Sequence, residues 1–171
     1  MTAPTYRART ADTFRIRRMT PADASEAAAL ESVCFTDGWS EASYRATLLL
    51  PYAVYFAAVE PSGRMIGTIG LQNLGGDGEI SNVAVLPEYR CRGIAHELME
   101  QALEAGHAGG ITRFTLEVRS GNTAARALYD SFDFVEKGRR KDFYTGPVED
   151  ALILWRIEDT QEARPAEEPR C

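Results

Sequence analysis

Residues 86–100 read LPEYRCRGIAHELME. The run NVAV before them, residues 82–85, is apolar and β-branched and stops at Pro87, as a strand would. After Gly93, the residues Ile94, Leu98, Ala102 and Leu103 recur at helical spacing, so an amphipathic helix is expected from Gly93 to Gly106. A strand–loop–helix junction leaves the first N–H groups of the helix without partners, and the helix dipole adds about half a positive charge there. Gly93 lets a ligand approach the backbone, and Arg90 and Arg92 add charge, which together suit a phosphate. A blander reading, a turn glycine between two solvated arginines, explains the same residues one at a time.

The chain on either side divides into short periodic segments. FRIRRM (14–19) alternates like a strand, and Thr20 and Pro21 supply an N-cap and first-turn proline for a helix over ADASEAAALESVCF (22–35). Ser40 caps a second helix through Leu50, ended by Pro51. AVYFAAVE (53–60), the turn PSGR and MIGTIGLQN (65–73) form an antiparallel hairpin, and GGDG (75–78) breaks the chain before the strand EISNVAV (79–85). Beyond the junction helix come a strand TRFTLEVR (112–119), a short helix from Asn122 to Phe132, and two strands, FVEKGRRKDFY (134–144) and ALILWRI (151–157). The order β-α-α-β-β-β-α-β-α-β-β predicts one α/β domain with a mixed sheet over residues 13–158. Residues 1–12 and 159–171, rich in Pro and charge, are expected to be flexible tails.

A chain of 171 residues, 44% hydrophobic and 26% charged, has the size and balance of one globular domain. Its net charge of −6 argues against a broad nucleic-acid surface and suits a cationic partner. No apolar run is long enough to span a bilayer and the N-terminus carries no hydrophobic signal segment, so a cytoplasmic protein without a membrane partner is expected. The three cysteines, Cys34, Cys91 and Cys171, are widely spaced and lack histidines at ligand spacing, which suggests neither a disulfide framework nor a metal site. The basic run Arg139, Arg140, Lys141 lies on a predicted strand followed by acidic residues, and reads as a solvated strand face rather than an RNA surface.

Arg90-x-x-Gly93-x-Ala95 lacks the further glycines of a dinucleotide fingerprint and the Gly-Lys-Ser/Thr of a nucleotide P-loop. It resembles the pyrophosphate-binding signature Gln/Arg-x-x-Gly-x-Gly/Ala of the GNAT superfamily of acetyl-CoA-dependent N-acetyltransferases. The element order, the preceding VAV strand and the downstream ALY (127–129) strengthen the resemblance. The resemblance implies the GNAT acyl-CoA N-acyltransferase fold, acetyl-CoA as co-substrate and no metal. It also implies that the backbone amides of Cys91, Arg92, Gly93, Ile94, Ala95 and His96 hold the pyrophosphate. The side chains of Arg90 and Arg92 then serve as helpers, and main-chain groups of Val83, Ala84 and Val85 pair with the pantetheine arm like an added strand.

Amide formation from a thioester and an amine needs a free nitrogen lone pair, a place for the oxyanion and a proton for the departing thiolate. An α-amine, with a pKa of about 7.7–8.0, loses its proton at neutral pH for about 1 kcal/mol, whereas a lysine at about 10.4 costs roughly 4–5 kcal/mol. Glu117 falls on the strand face opposite Phe114, Leu116 and Val118, and can reach a cleft. With a reference pKa near about 4.3, it acts directly as a base only if burial raises it, and otherwise through a water; it also reads as a solvated strand-end glutamate. Asn122 can cap the following helix, and Tyr129, seven residues on, returns to the same face. A tyrosine keeps its proton at neutral pH and can donate it to a thiolate, although an aromatic on a short helix is commonly core.

The stretch LEVRSGNTAARALYDSFDF (116–134) resembles LEVR-x-x-N-x-x-A-x-x-LY-x-x-x-GF of one branch of the superfamily, the bacterial N-terminal alanine acetyltransferases of a small-subunit ribosomal protein. That resemblance implies Glu117 as general base, Tyr129 as general acid and Asn122 as a coenzyme-binding asparagine. Asp133 stands where the branch has a glycine in the left-handed helix cap, so local strain is expected there. CFTDGWSEASY (34–44) and GRRKDFYTGPVEDALIL (138–154) resemble the branch's peptide-entrance loops. Trp39 is then either a substrate contact or a buried anchor, Tyr144 lines the acceptor slot, and Glu149 and Asp150 meet a basic N-terminal peptide. The implied activity is direct acetyl transfer to the N-terminal amine of a basic ribosomal protein. The rival readings are an acetyltransferase of the same fold acting on a small amine, and a non-catalytic acyl-CoA-binding module.

Overall fold

The computed structural model describes residues 14–158; the expected tails, residues 1–12 and 159–171, and Cys171 lie outside them. The strands are β1 (Arg15–Arg18), β2 (Ala53–Val59), β3 (Met65–Leu74), β4 (Asp77–Val85), β5 (Arg113–Arg119), β6 (Val135–Thr145) and β7 (Val148–Ile157). The helices are α1 (Ala24–Cys34), α2 (Glu41–Leu48), α3 (Ile94–Ala108) and α4 (Thr123–Asp130). This is the expected order. The expected helix over 22–35 splits: Pro21–Asp23 is a 3-10 turn, and the α-helix begins at Ala24. Asp23 accepts the Thr20 N–H at 2.8 Å and a bidentate pair of bonds from Arg17, which fixes β1 to the start of α1. Ser40 and Asn122 cap α2 and α4 by accepting from the Ser43 and Ala125 amides, as expected. β4 begins at Asp77, two residues earlier than expected, because the turn closes within Gly75 and Gly76.

The strands form one seven-stranded mixed sheet in the order β1-β2-β3-β4-β5-β7-β6. All pairings are antiparallel except that of β4 with β5. β2 and β3 are buried almost throughout, which requires cover on both sheet faces. On one face α3 lays Ile94 and Leu98 over Gly67, and His107 meets the Phe114 ring at 5.4 Å. On the other, Tyr44 of α2 packs edge-on against Tyr55 of β2 at 6.1 Å. Gly70 permits this, since a Cβ there would sit 2.3 Å from the Tyr55 ring.

Two irregularities shape the middle of the sheet. Thr68 pairs with Ala84 and Gly70 with Ser81, so Ile69 alone faces Asn82 and Val83: β4 carries a bulge, with Asn82 left-handed at φ 54°. The parallel ladder between β4 and β5 covers only Asp77–Glu79 against Arg113–Thr115. Beyond it the two strands part, and the sheet opens into a wedge.

Candidate active site

The wedge supplies a strand edge. From Ile80 onward β4 has no ladder partner on the β5 side, while Ala84 and Val85 remain paired to β3 and largely buried. The backbone at Val83–Val85 therefore borders the opening. One acceptor on this stretch is already engaged: the Val85 carbonyl takes Arg90 Nε at 3.0 Å and Cys34 Sγ at 3.5 Å.

At the end of β4 the chain makes a short turn, Pro87–Tyr89, and enters α3. Gly93, the N-cap, has φ 79°, and a Cβ there would meet nothing within 4 Å among the described residues. Glycine serves here for its left-handed backbone rather than for close packing. The Cys91 backbone is also left-handed, at φ 61°. The Glu97 amide makes the first intrahelical bond, to the Gly93 carbonyl, and the amides of Cys91, Arg92, Gly93, Ile94, Ala95 and His96 have no acceptor among the described residues. These six N–H groups at a helix start form a ready anion site. The side chains around them do other things: Arg90 folds back onto β4, Arg92 stacks 5.3 Å from the Tyr89 ring centroid, His96 packs 4.6 Å from Phe132, and Ile94 is core.

Glu117 and Tyr129 lie beyond the point where β4 and β5 separate. Glu117 is on the exposed face of β5, 3.3 Å from Arg140 Nε on β6. Tyr129 of α4 is 6% exposed, its ring 6.1 Å from Phe134, and its hydroxyl has no hydrogen-bond partner among the described residues. Burial, with a smaller push from Tyr144, raises that hydroxyl well above the ordinary tyrosine value. Asn122 spends its side-chain oxygen on the α4 cap, which leaves its amide nitrogen.

Tyr144 lies near the end of β6, where the Arg119 guanidinium covers its ring at 4.3 Å. Burial raises its hydroxyl first, then the charge of Glu117, with Asp37 and Glu149 adding to it and Arg119 opposing. The same Arg119 bonds the Pro147 carbonyl, and Glu149 accepts the Gly121 amide at 2.7 Å, so the β6–β7 hairpin is tied to the β5–α4 loop. Asp150 accepts from the Asp142 amide and from Arg139 at the surface of the hairpin. It also supports the β6 bulge at Asp142, φ 51°. Trp39 packs edge-on against Tyr44 at 5.5 Å and lies 6.3 Å from Tyr55, the arrangement of an anchor. Sequence reasoning missed its tether, Glu31, whose signal was a Glu in the buried stripe Ala24, Ala27, Glu31 of α1.

A mixed sheet that opens where β4 and β5 part, a helix start with free amides after β4, and a tyrosine on the helix after β5 together suit acyl transfer. The Acetyltransferase (GNAT) family matches residues 24–134, and the chain belongs to it. It is 34% identical over 155 residues to N-alpha-acetyltransferase RimI of Mycobacterium tuberculosis, covering 86% of this chain and 96% of that one. It is 30% identical over 118 residues to the [ribosomal protein bS18]-alanine N-acetyltransferase of Escherichia coli K12, covering 68% of this chain and 78% of that one. The crystal structure of the ribosomal-protein-S18-alanine N-acetyltransferase from Escherichia coli superposes with TM-score 0.80 at 27% identity, over 89% of this chain and 99% of that one. No helix among the described residues is long and apolar enough to cross a membrane.

Proposed function

We propose that the protein transfers the acetyl group of acetyl-CoA to the N-terminal α-amine of a protein, the acceptor being the N-terminal alanine of a small-subunit ribosomal protein. The name of the Escherichia coli relative supports the acceptor, and that of the Mycobacterium tuberculosis relative the α-amine. The observation that carries the chemistry is Tyr129: its ring is buried, while its hydroxyl, held protonated, is unpartnered among the described residues and is not sealed from solvent. Such a group has a hydrogen bond to give and, among the described residues, no atom to give it to.

The amides of Cys91–His96 are suited to hold the pyrophosphate of acetyl-CoA, the backbone at Val83–Val85 its pantetheine arm, and the Asn122 amide nitrogen a further polar group of it. Bound there, the thioester supplies an activated acetyl carbon. The amine forms the new C–N bond as the C–S bond breaks. Glu117, exposed and paired with Arg140, takes the amine's proton through a water, and Tyr129 donates to the departing sulfur. No covalent enzyme intermediate is needed. Asp37, Glu117 and Glu149 around Tyr144 favour a cationic acceptor over an acidic one. Trp39 acts on the acceptor as the anchor of its loop.

Incubation with acetyl-CoA and peptides beginning in Ala, Ser or Met, a peptide with only an internal Lys, and free polyamines, read by mass spectrometry, tests this. Acetylated Ala- or Ser-peptides are expected. Acetylation of free amines alone returns the small-amine reading, and coenzyme binding without any product returns the binding-module reading.

A further inference from the structure

Glu31 is 1% exposed, and among the described residues no cation pairs with it. A buried carboxylate without a counter-ion is costly unless donors surround it. Three do: Trp39 N–H bonds Oε2 at 2.5 Å, and the Tyr44 hydroxyl, at 2.7 Å, and Asn82 Nδ2 bond Oε1. The donors come from three places: the loop between α1 and α2, α2 itself, and the β4 bulge. The loop is pressed onto its tether, since a Cβ on Gly38 would lie 3.1 Å from Glu31 Cβ. Of the N–H groups of residues 36–39, Trp39's has an acceptor among the described residues, and that acceptor is Glu31.

The far side of this loop faces the β6–β7 hairpin, which carries the proposed acceptor contact Tyr144. Thr36 Oγ1 would be 4.0 Å from a Cβ on Gly146 at the tip of the β6–β7 hairpin, and Asp37 acts electrostatically on Tyr144. The near side reaches Asn82, one residue before the β4 edge that borders the wedge. That edge has its own support: Ala84 and Val85 pair with β3, and Asn82 Oδ1 accepts from the Tyr55 hydroxyl at 3.2 Å. The loop depends on Glu31 where the edge does not.

We infer that Glu31 is a positioning residue for the acceptor, a buried carboxylate that sets the Trp39 loop against the β4 bulge and so fixes one wall of the acceptor mouth. The inference rests on the proposed function for the identity of that acceptor.

Glu31→Gln keeps the shape but points an amide N–H₂ at a donor, either the Trp39 N–H or the Tyr44–Asn82 pair. In full-length protein carrying Trp155→Phe, Trp39 is the sole tryptophan. Glu31→Gln in that background is expected to shift Trp39 emission to longer wavelength and increase its quenching by acrylamide. The peptide KM should rise about tenfold while the acetyl-CoA dissociation constant changes by about twofold or less. Asn82→Gly removes one donor, keeps the left-handed bulge, and should move each readout the same way by less. It decides the matter if Glu31→Gln does not fold. Unchanged Trp39 emission in the folded variants, or acetyl-CoA affinity weakening in parallel with KM, would overturn the inference. A parent protein that acetylates no peptide sinks the proposed function instead, and the Trp39 emission still judges Glu31.

Discussion

Arg140 Nε lies 3.3 Å from Glu117 Oε1, joining β6 to β5 across the intervening β7. Both side chains are partly exposed, so the pair contributes about 0.2–1 kcal/mol at most and serves to hold the carboxylate in place. Arg140→Gln should lower kcat by about fivefold or less and leave acetyl-CoA binding unchanged. Glu117→Gln should lower kcat/KM most at low pH, where the amine carries its proton and needs a base. Steady-state kinetics across pH check both, and a loss in Glu117→Gln that is independent of pH would remove its role as a proton acceptor.

Tyr129→Phe deletes one oxygen from a buried ring. A lost general acid costs about a hundredfold or more in kcat, and binding of acetyl-CoA, measured by calorimetry, should stay within about twofold. Since burial, followed by Tyr144, raises the Tyr129 hydroxyl above the usual value of about 10, its protonated form persists to higher pH. The kcat of the unsubstituted protein should therefore show no alkaline decline assignable to Tyr129 between neutrality and about pH 10. A decline in that interval that disappears in Tyr129→Phe would contradict the assignment.

Gly93→Ala introduces a methyl group where φ is 79° and nothing among the described residues lies within 4 Å. The backbone cost is about 1 kcal/mol, and the methyl enters the space in front of the free amides. Acetyl-CoA affinity is expected to fall about tenfold, more than the small drop in thermal midpoint explains. Calorimetry paired with thermal denaturation separates the two effects.

Asp133 occupies the left-handed position after α4, at φ 63°. The expected strain is thus present in the backbone. Asp133→Gly should raise stability by up to about 1 kcal/mol in denaturant titration, with kcat unchanged, because the left-handed penalty exceeds the entropy that glycine gives back. A destabilised Asp133→Gly would mean that the Asp side chain contributes more than its backbone costs.

The element order was legible in the sequence because each segment carries its own periodicity and caps: Ser40 before α2, Asn122 before α4, Gly93 before α3. The bare amides of Cys91–His96 follow from the same local signals. The wedge was not legible, since nothing in EISNVAV or TRFTLEVR marks where a parallel ladder stops. Nor was the Glu117–Arg140 pair, because the register of β6 depends on irregularities between Glu136 and Gly138 and between Arg140 and Tyr144. Glu31 was hidden by its type: a glutamate on an Ala-rich helix reads as surface until its position in the buried stripe is weighed. That Glu149 and Asp150 also tie the hairpin together, through the Gly121 and Asp142 amides, was not legible, because those bonds depend on the β6–β7 register.

The central claim is acetyl transfer to a protein α-amine. A single basic peptide with an N-terminal alanine and an internal lysine, incubated with the protein and acetyl-CoA and sequenced by fragment-ion mass spectrometry, tests it most directly. One acetyl group on the alanine nitrogen, with the lysine unmodified, is the predicted result. Acetyl on the lysine alone, or none on the peptide while the coenzyme is consumed on a free amine, would contradict it.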